Sequence, residues 1–207
     1  MGLIGDLLPD FADGKIDDAP ELLDEEAPWS ILSDNSNDLA AQIRKMEHNH
    51  HNSFIHPTAI IGEFVAIEGP CFIGKNVEIK HAAFIRKGSW ICEGAMVGHS
   101  SEIKNSILFP GAKVPHFNYV GDSIIGSRVN LGAGAKISNV RNDGREIILE
   151  MRSGRKVDSG LSKLGAIIGD DSRIGCNVVT NPGTIIEPGA EINPNSTVKG
   201  FFSSGKG

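Results

Sequence analysis

The chain lacks the features that mark several large protein classes. Its three cysteines, Cys71, Cys92 and Cys176, form no CxxC pair and are odd in number, which argues against a disulfide framework. No run of 18 apolar residues and no cationic start followed by an apolar core is present, so neither a membrane span nor secretion is expected. Asp6 stands where an acylation signal requires Ser or Thr. These absences predict a cytoplasmic protein.

Clustered positive charge is also missing. The net charge is −6, and residues 1–50 contain twelve Asp and Glu against Lys15, Arg44 and Lys45. The remainder carries only a mild excess of cations, spread along its length. Because nucleic acids bind to clusters of cations, no nucleic-acid partner is expected.

What the chain does have is a six-residue repeat of branched apolar residues. Neither a helix, with a period of 3.6, nor an ordinary strand, with a period of 2, explains this spacing. It predicts a parallel β-helix, in which three hexads close one coil. After two hexads of five residues the repeat resumes, and it returns again after residue 165, giving about seven coils. The repeated positions are Ile55, Ile61, Ile67, Ile73, Ile79, Ile85, Ile91, Val97, Ile103, Leu108, Val114, Val120, Ile125, Leu131, Ile137, Ile168, Ile174, Thr180, Ile186, Ile192 and Val198.

Two details of this repeat give local expectations. Thr180 is the weakest member, and Val179 beside it suggests that the register shifts there. Residues 138–165 lack the period but alternate apolar and charged residues, which predicts a loop with a β-hairpin turning at Ser153-Gly154. A loop of this length is usually functional or disordered.

The N-terminal segment divides from the repeat. Residues 1–28 are expected to form an acidic, partly disordered arm, because Asp, Gly and Pro separate isolated apolar residues. Residues 29–53 are expected to hold a short helix, capped by Ser36 or Asn37, and a linker. The β-helix then occupies 54–202, with the long loop at 138–165.

Residues 114–122 stand out because a histidine, an amide and the chain's one tyrosine interrupt small hexads. An imidazole can accept a proton near neutral pH, so His116 is a candidate general base. A lone histidine on a solvated turn would have no such role. His116, however, lies within stretches that together resemble one family: Glu102 to Ser106, Lys113 to His116, and Val129 to Gly134.

These stretches resemble the left-handed β-helix acetyltransferase domain of the bifunctional N-acetylglucosamine-1-phosphate uridyltransferase. The resemblance runs from about Ile79 to Val198, and Ser159 to Ala166 look like the archaeal-type members. It implies an acetyl-CoA-dependent transfer to an amino sugar phosphate such as glucosamine 1-phosphate, without a covalent intermediate. It also implies a homotrimer, whose sites take residues from two neighbours, and no metal ion.

The resemblance assigns roles residue by residue. His116 matches the general base. Ala133 matches a position where acetyl-CoA lies against the backbone, and Cys176 replaces a serine that meets this co-substrate. The acceptor-binding positions are matched by Arg86, Lys104, Tyr119, Asn130, Asn139 and Lys163. Each of these side chains could instead serve structure alone, as a solvated turn charge, a stacking amide or a capping aromatic.

The chain departs from this family in three ways. Val140 replaces a tyrosine, and the residues after Phe202 do not match the basic tail that helps to hold CoA in the longer enzymes, so a weaker hold on CoA is expected. Nothing in residues 1–54 matches the uridyltransferase half, with its Gly-rich phosphate loop and metal-binding aspartate. Uridylyl transfer is therefore not expected of this chain, and a separate nucleotidyltransferase would have to perform it.

Two other functions compete with acetyl transfer. His81, His99 and His116 are one coil apart in the repeat and are expected to stack, so a metal-dependent hydratase similar to the gamma-class carbonic anhydrases is one alternative. That family takes two close ligands from one coil, which this spacing does not provide. The other alternative is a non-catalytic trimerisation or scaffold module with the arm as a partner-binding segment. His48, His50 and His51 lie in a polar run and are interpreted as loop residues.

Overall fold

The computed structural model describes residues 2–22, 24–34 and 36–203. Three parallel sheets form the faces of a prism, which confirms the predicted β-helix. The first face contains Phe54–Ile55, Cys71–Ile73, Ser89–Ile91, Ile107–Leu108, Ile124–Ile125, Ala166–Ile168, Thr184–Ile186 and Phe201–Phe202. The second face contains Ile60–Ile61, Glu78–Ile79, Met96–His99, Lys113–His116, Asn130–Leu131, Arg173–Ile174 and Glu191–Ile192. The third face contains Ala66–Ile67, Phe84–Ile85, Glu102–Lys104, Tyr119–Gly121, Lys136–Ile137, Val179–Thr180 and Thr197–Val198.

The six-residue column forms the inner core of this prism. From Ile73 to Val198 every member of the column is buried, whereas Ile55, Ile61 and Ile67 of the first coil are less so. No coil precedes the first one in the described part of the chain, so one side of its residues lacks the contacts that the coils give each other. The core is therefore set by the repeat itself.

The suggested register shift at Thr180 is wrong. Thr180 is buried and pairs in register with Ile137 on one side and Val198 on the other. Its hydroxyl oxygen has no hydrogen-bond partner among the residues that the structure describes. Parallel pairing to both neighbouring strands keeps the threonine pointing inward, although a branched apolar residue would suit that place better.

A second core lies outside the prism, on the first face. Outward side chains of its strands, including Phe72, Trp90 and Ile107, are buried beneath the N-terminal arm and the loop at 138–165. The predicted hairpin is confirmed: Ile148–Glu150 pairs antiparallel with Lys156–Asp158. The covering residues that are buried against this face are Ile4, Leu7, Leu8, Trp29, Ile31, Leu32, Leu39, Ile43, Ile147, Leu149 and Leu164.

The described residues of the N-terminal segment 1–53, all of which we call the arm in describing the structure, are more ordered than the composition of residues 1–28 predicts. Its described residues form helices α1 (Leu3–Leu7) and α2 (Pro9–Ala12), followed by a 3-10 helix (Pro28–Leu32) and helix α3 (Leu39–Arg44). The expected cap of α3 is also wrong, because the side chain of Asp38, not Ser36 or Asn37, accepts the backbone N–H of Ala41 at 2.6 Å. Burial of apolar arm residues on the first face compensates for the weak local helix signal.

Polar contacts hold the arm to the coils at two places. Near the junction of α1 and α2, Arg128 pairs with Asp10 of the arm and with Asp171 of a neighbouring coil. Farther along, the Trp90 Nε1–H donates to the backbone oxygen of Asp18 at 2.7 Å, and the Asp18 carboxylate accepts the backbone N–H of Glu93 at 2.8 Å. The arm is therefore an integral layer of the fold.

This layer removes one argument for a trimer. An uncovered apolar face on the prism would favour a trimer, but the apolar first face is covered by the chain's own arm and hairpin. Among the described residues, no helix is long and apolar enough to cross a membrane.

Candidate active site

A cleft of about 390 Å³ opens where the third face turns into the first. We call this edge of the prism the cleft corner. Three of the predicted acceptor-binding residues, Arg86, Lys104 and Lys163, line the cleft together. Its other lining residues are Leu32, Ser33, Asp34, Asp38, Ala40, Glu68, Lys87, Asn105, Asp122, Leu161 and Ser162. The coils, the long loop and the N-terminal arm thus contribute to one cleft.

Arg86 and Lys104 stand on neighbouring coils because each follows the inward residue of a third-face strand. Each is held by a carboxylate: Arg86 donates to Glu102 at 2.8 Å, and Lys104 lies 3.0 Å from Asp122. The Glu102 carboxylate raises the pKa of Arg86. Both cations are therefore positioned before any ligand binds.

Asp122 forms the base of the cleft, and its side chain is only 4% exposed. Besides Lys104, its carboxylate accepts the side-chain amides of Asn105, at 2.9 Å, and Asn139. The Asn139 amide also donates to the Tyr119 hydroxyl at 3.2 Å. Asp122 thus joins three predicted site residues, and sequence reasoning missed it. Its place two residues after the inward Val120, like that of Asn139 after Ile137, was the available signal.

The network continues into the N-terminal arm. The Asn105 amide that bonds to Asp122 also donates to the backbone oxygen of Leu32 at 2.9 Å. Lys163 reaches the cleft from the long loop. The loop is fixed next to Lys163 because the backbone N–H of Leu164 donates to the backbone oxygen of Asn139 at 3.0 Å. Two segments without the six-residue period therefore complete the cleft.

His116 lies at a different edge, where the second face turns into the third. We call this edge the histidine corner. The His116 side chain is exposed, and its backbone N–H donates to the Asn118 side-chain oxygen at 2.8 Å. The amide of Asn118 in turn donates to the backbone oxygen of Gly132 at 2.7 Å. The buried Asn118, which sequence reasoning missed as a functional residue, fixes the turn that presents His116.

The two residues assigned to acetyl-CoA follow His116 along this corner. Backbone hydrogen bonds connect Gly134 to His116 and Asn177 to Ala133, so His116, Ala133 and Cys176 stand at the same edge of successive coils. Cys176 is exposed. These three positions form one continuous edge along the prism.

The remaining predicted residues lie on the faces between these corners. Tyr119 is on the third face, whose strand Tyr119–Gly121 connects the histidine corner to the cleft corner. Asn130 is exposed on the second face, paired in register with Lys113 and Arg173. Tyr119 is bonded to the cleft network, whereas the described contacts do not bring Asn130 to it.

The predicted histidine column forms only in part. The rings of His81 and His99 stack with centroids 5.4 Å apart, and His116 pairs with His99 in strand register. The His99 ring also contacts the Phe117 ring, with centroids 5.2 Å apart. Across the described ranges, no group of three His, Cys, Asp or Glu side chains is placed to hold a metal ion.

Comparison with known proteins places this fold in a family. Residues 67–157 match the model of the GMPPB C-terminal domain, and residues 165–200 match the model of the bacterial transferase hexapeptide with six repeats. Only residues 158–164, near the end of the long loop, separate the two matches. They cover the coils that carry Arg86, Lys104 and His116.

Curated relatives agree with this assignment. The bifunctional protein GlmU of Methanococcus maripaludis is 38% identical over an alignment 182 residues long, which covers 83% of this chain and 43% of that protein. A bifunctional sugar-1-phosphate nucleotidylyltransferase/acetyltransferase of Sulfurisphaera tokodaii is 36% identical over 65% of this chain and 38% of its own length. The chain thus spans about two fifths of each. An uncharacterized acetyltransferase, YaiX, of Escherichia coli is 35% identical over 66% of this chain and 67% of its own length. The chain therefore belongs to the hexapeptide-repeat transferase family.

Proposed function

We propose that this protein is an acetyl-CoA-dependent N-acetyltransferase that acts on an amino sugar phosphate, with glucosamine 1-phosphate as the first candidate. The observation that carries the proposal is the cleft, where Arg86, Lys104 and Lys163 converge from two coils and the long loop. A phosphate group suits such a set, since guanidinium and ammonium groups form charge-assisted hydrogen bonds to its oxygens. The acetyltransferases among the relatives give further support.

In this proposal the acceptor lies along the third face. Its phosphate occupies the cleft, Tyr119 contacts the sugar, and the amine points to the histidine corner. The amine nitrogen attacks the thioester carbonyl carbon of acetyl-CoA, so that an N–C bond forms and the C–S bond breaks. His116 accepts the proton that the amine loses, and the sulfur leaves as the CoA thiolate, which is protonated to the thiol. Ala133 and Cys176 lie where the co-substrate would pass.

The exposure of His116 and the turn that presents it support a role as general base. His116 is exposed and presented by a turn that Asn118 fixes through two hydrogen bonds. A general base must reach the proton that it removes, so an exposed imidazole on a fixed turn is suitable. We further propose a homotrimer in which a neighbouring subunit closes the open side of the site. This rests on the family resemblance and not on an uncovered apolar face.

The decisive experiment combines acetyl-CoA with a panel of amino sugars and detects the free thiol of CoA. The panel contains glucosamine 1-phosphate, galactosamine 1-phosphate and unphosphorylated glucosamine. The expected acceptors are the phosphorylated sugars. No thiol release with any acceptor would favour the scaffold function.

A histidine variant tests the mechanism. His116→Ala should lower kcat by about 10²- to 10⁴-fold with little change in the KM for acetyl-CoA, since general-base catalysis is typically of that size. His99→Ala is the matched control, because His99 is an exposed histidine one coil away. Equal losses in both variants, or in His81→Ala as well, together with sensitivity to chelators, would favour a metal site. Turnover near that of the wild type in His116→Ala would refute the assigned base.

A further inference from the structure

The cleft contains a fourth cation that no family position assigns. Lys87 lines it beside Arg86, and the N-terminal arm forms the opposite wall with Leu32, Asp34 and Asp38. The backbone of Lys87 is tied to the site, because its carbonyl oxygen accepts the N–H of Asn105 at 3.1 Å. This backbone hydrogen bond holds Lys87 next to Asn105, one of the residues that surround Asp122.

The four cations differ in how firmly they are already paired. Arg86 and Lys104 have close partners, at 2.8 Å from Glu102 and 3.0 Å from Asp122. Lys87 lies 4.0 Å from Asp34, at the limit of an ion pair, with side chains 55% and 98% exposed. Such exposed pairs contribute little to stability and are easily exchanged.

Lys163 is freer still. Within the described part of the chain, no carboxylate lies within ion-pair distance of its ammonium group. A phosphate entering the cleft can therefore gain Lys163 without breaking any ion pair, and Lys87 by replacing one weak pair. In contrast, full transfer of Lys104 to the phosphate would leave the buried Asp122 carboxylate without its cation, which is costly.

On this basis we propose that Lys87 is a further phosphate-binding residue of the acceptor site and that Asp34 of the arm is the anion that the acceptor phosphate replaces. This inference rests on the proposed function and extends it. Lys87 and Lys163 supply the charge that is free to bind the phosphate, while Arg86 and Lys104 add hydrogen bonds from positions fixed by their carboxylates. The arm, through Asp34, competes with the substrate and so tunes its affinity.

Replacing Lys87 and replacing Asp34 are expected to change the KM for the acceptor in opposite directions. Lys87→Met should raise the KM for glucosamine 1-phosphate by about 10-fold, because a charge-assisted hydrogen bond is lost. Asp34→Asn should lower that KM by roughly 2- to 5-fold, since it removes a weak exposed competitor. The KM for acetyl-CoA should stay unchanged in both variants. A purely structural role would not move the two acceptor KM values in opposite directions.

Lys75→Met is the matched control. Lys75 is 56% exposed and lies 3.6 Å from Glu93, so it resembles Lys87 in exposure and pairing but does not line the cleft. The KM of the Lys75→Met variant for the acceptor should stay within about twofold of the wild-type value. Equal KM values in the Lys87→Met and Lys75→Met variants would overturn the proposal.

Equilibrium binding separates this inference from the proposed function. Titration calorimetry with inorganic phosphate and with glucosamine 1-phosphate measures binding without turnover. If the wild type acetylates no sugar but binds these anions more weakly after Lys87→Met, the phosphate site stands and the proposed reaction fails. If the wild type is active while Lys87→Met alters neither KM nor anion binding, this inference alone fails. Absence of both turnover and anion binding would refute both.

Discussion

Replacing Asp122 by Asn tests whether the buried carboxylate organises the site. Asp122 accepts hydrogen bonds from Lys104, Asn105 and Asn139, and its side chain is 4% exposed. The amide keeps the shape of the carboxylate but removes its charge and turns one acceptor into a donor. At least one of the three donors then faces another donor.

The magnitude follows from the burial of the two charges. Breaking a fully buried ion pair costs roughly 3–5 kcal/mol. The Lys104 side chain is 23% exposed, so its ammonium group can recover part of its hydration. We therefore expect a loss of about 3 kcal/mol in the free energy of unfolding. For a chain of this size that corresponds to a fall in Tm of roughly 6–12 °C.

Thermal unfolding followed by circular dichroism, with urea unfolding in parallel, measures this loss. Asp143→Asn is the control, because Asp143 pairs with Arg141 on the exposed part of the loop and should barely affect Tm. The double variant Asp122→Asn/Lys104→Met should lose less than the sum of its two single variants, since the residues are in contact. The acceptor KM should also rise in Asp122→Asn, because Lys104 and Asn139 are no longer held.

Two results would contradict this reasoning. A Tm unchanged within error would mean that the Asp122 network adds nothing to stability. Strict additivity of the Asp122 and Lys104 losses would mean that the 3.0 Å contact carries no coupling energy. Either result would mean that Asp122 does not fix the position of Lys104 in the cleft.

The other two predictions concern the coils and the arm. Thr180→Val should raise stability by about 1 kcal/mol, because it replaces a buried hydroxyl without a hydrogen-bond partner by a methyl group. The matched Thr184→Val should lower stability by about 1 kcal/mol, because that buried hydroxyl donates to the backbone oxygen of Asn181 at 2.7 Å. Urea unfolding that gives both changes the same sign would refute this. Arg128→Gln should make unfolding less pH-dependent in acid, since hydrogen bonds from Arg128 hold the pKa values of Asp10 and Asp171 below 3.8. The ionised Asp10 and Asp171 stabilise the folded state fully above that pH, and this stabilisation is lost as the pH falls through the lowered pKa values. The free energies of unfolding of the wild type and the variant should therefore differ at pH 7 and converge below pH 3.8. A constant difference across this range would contradict this prediction.

The proposed site residues were predicted from the family resemblance, and the six-residue repeat adds where several of them lie relative to one another. Arg86 and Lys104 each follow an inward residue of the third face, so the repeat alone places them on neighbouring coils. The same logic places Ala133 next to His116. The place of Asp122 in its hexad could also be predicted from the sequence, but an aspartate at a turn has many ordinary structural roles. Its importance appears only when the donors around it are known.

The repeat by itself determined the prism, its inner core and the order of residues along each corner. Every coil pairs with the next through backbone hydrogen bonds, so a local period is enough to fix a long-range register. The arm follows no period, and its apolar residues are separated by Asp, Gly and Pro. Only the tertiary structure decided that it covers the first face, because that depends on the area buried against Trp90 and its neighbours. The same docking brings Asp34 to Lys87, a contact for which no local pattern exists.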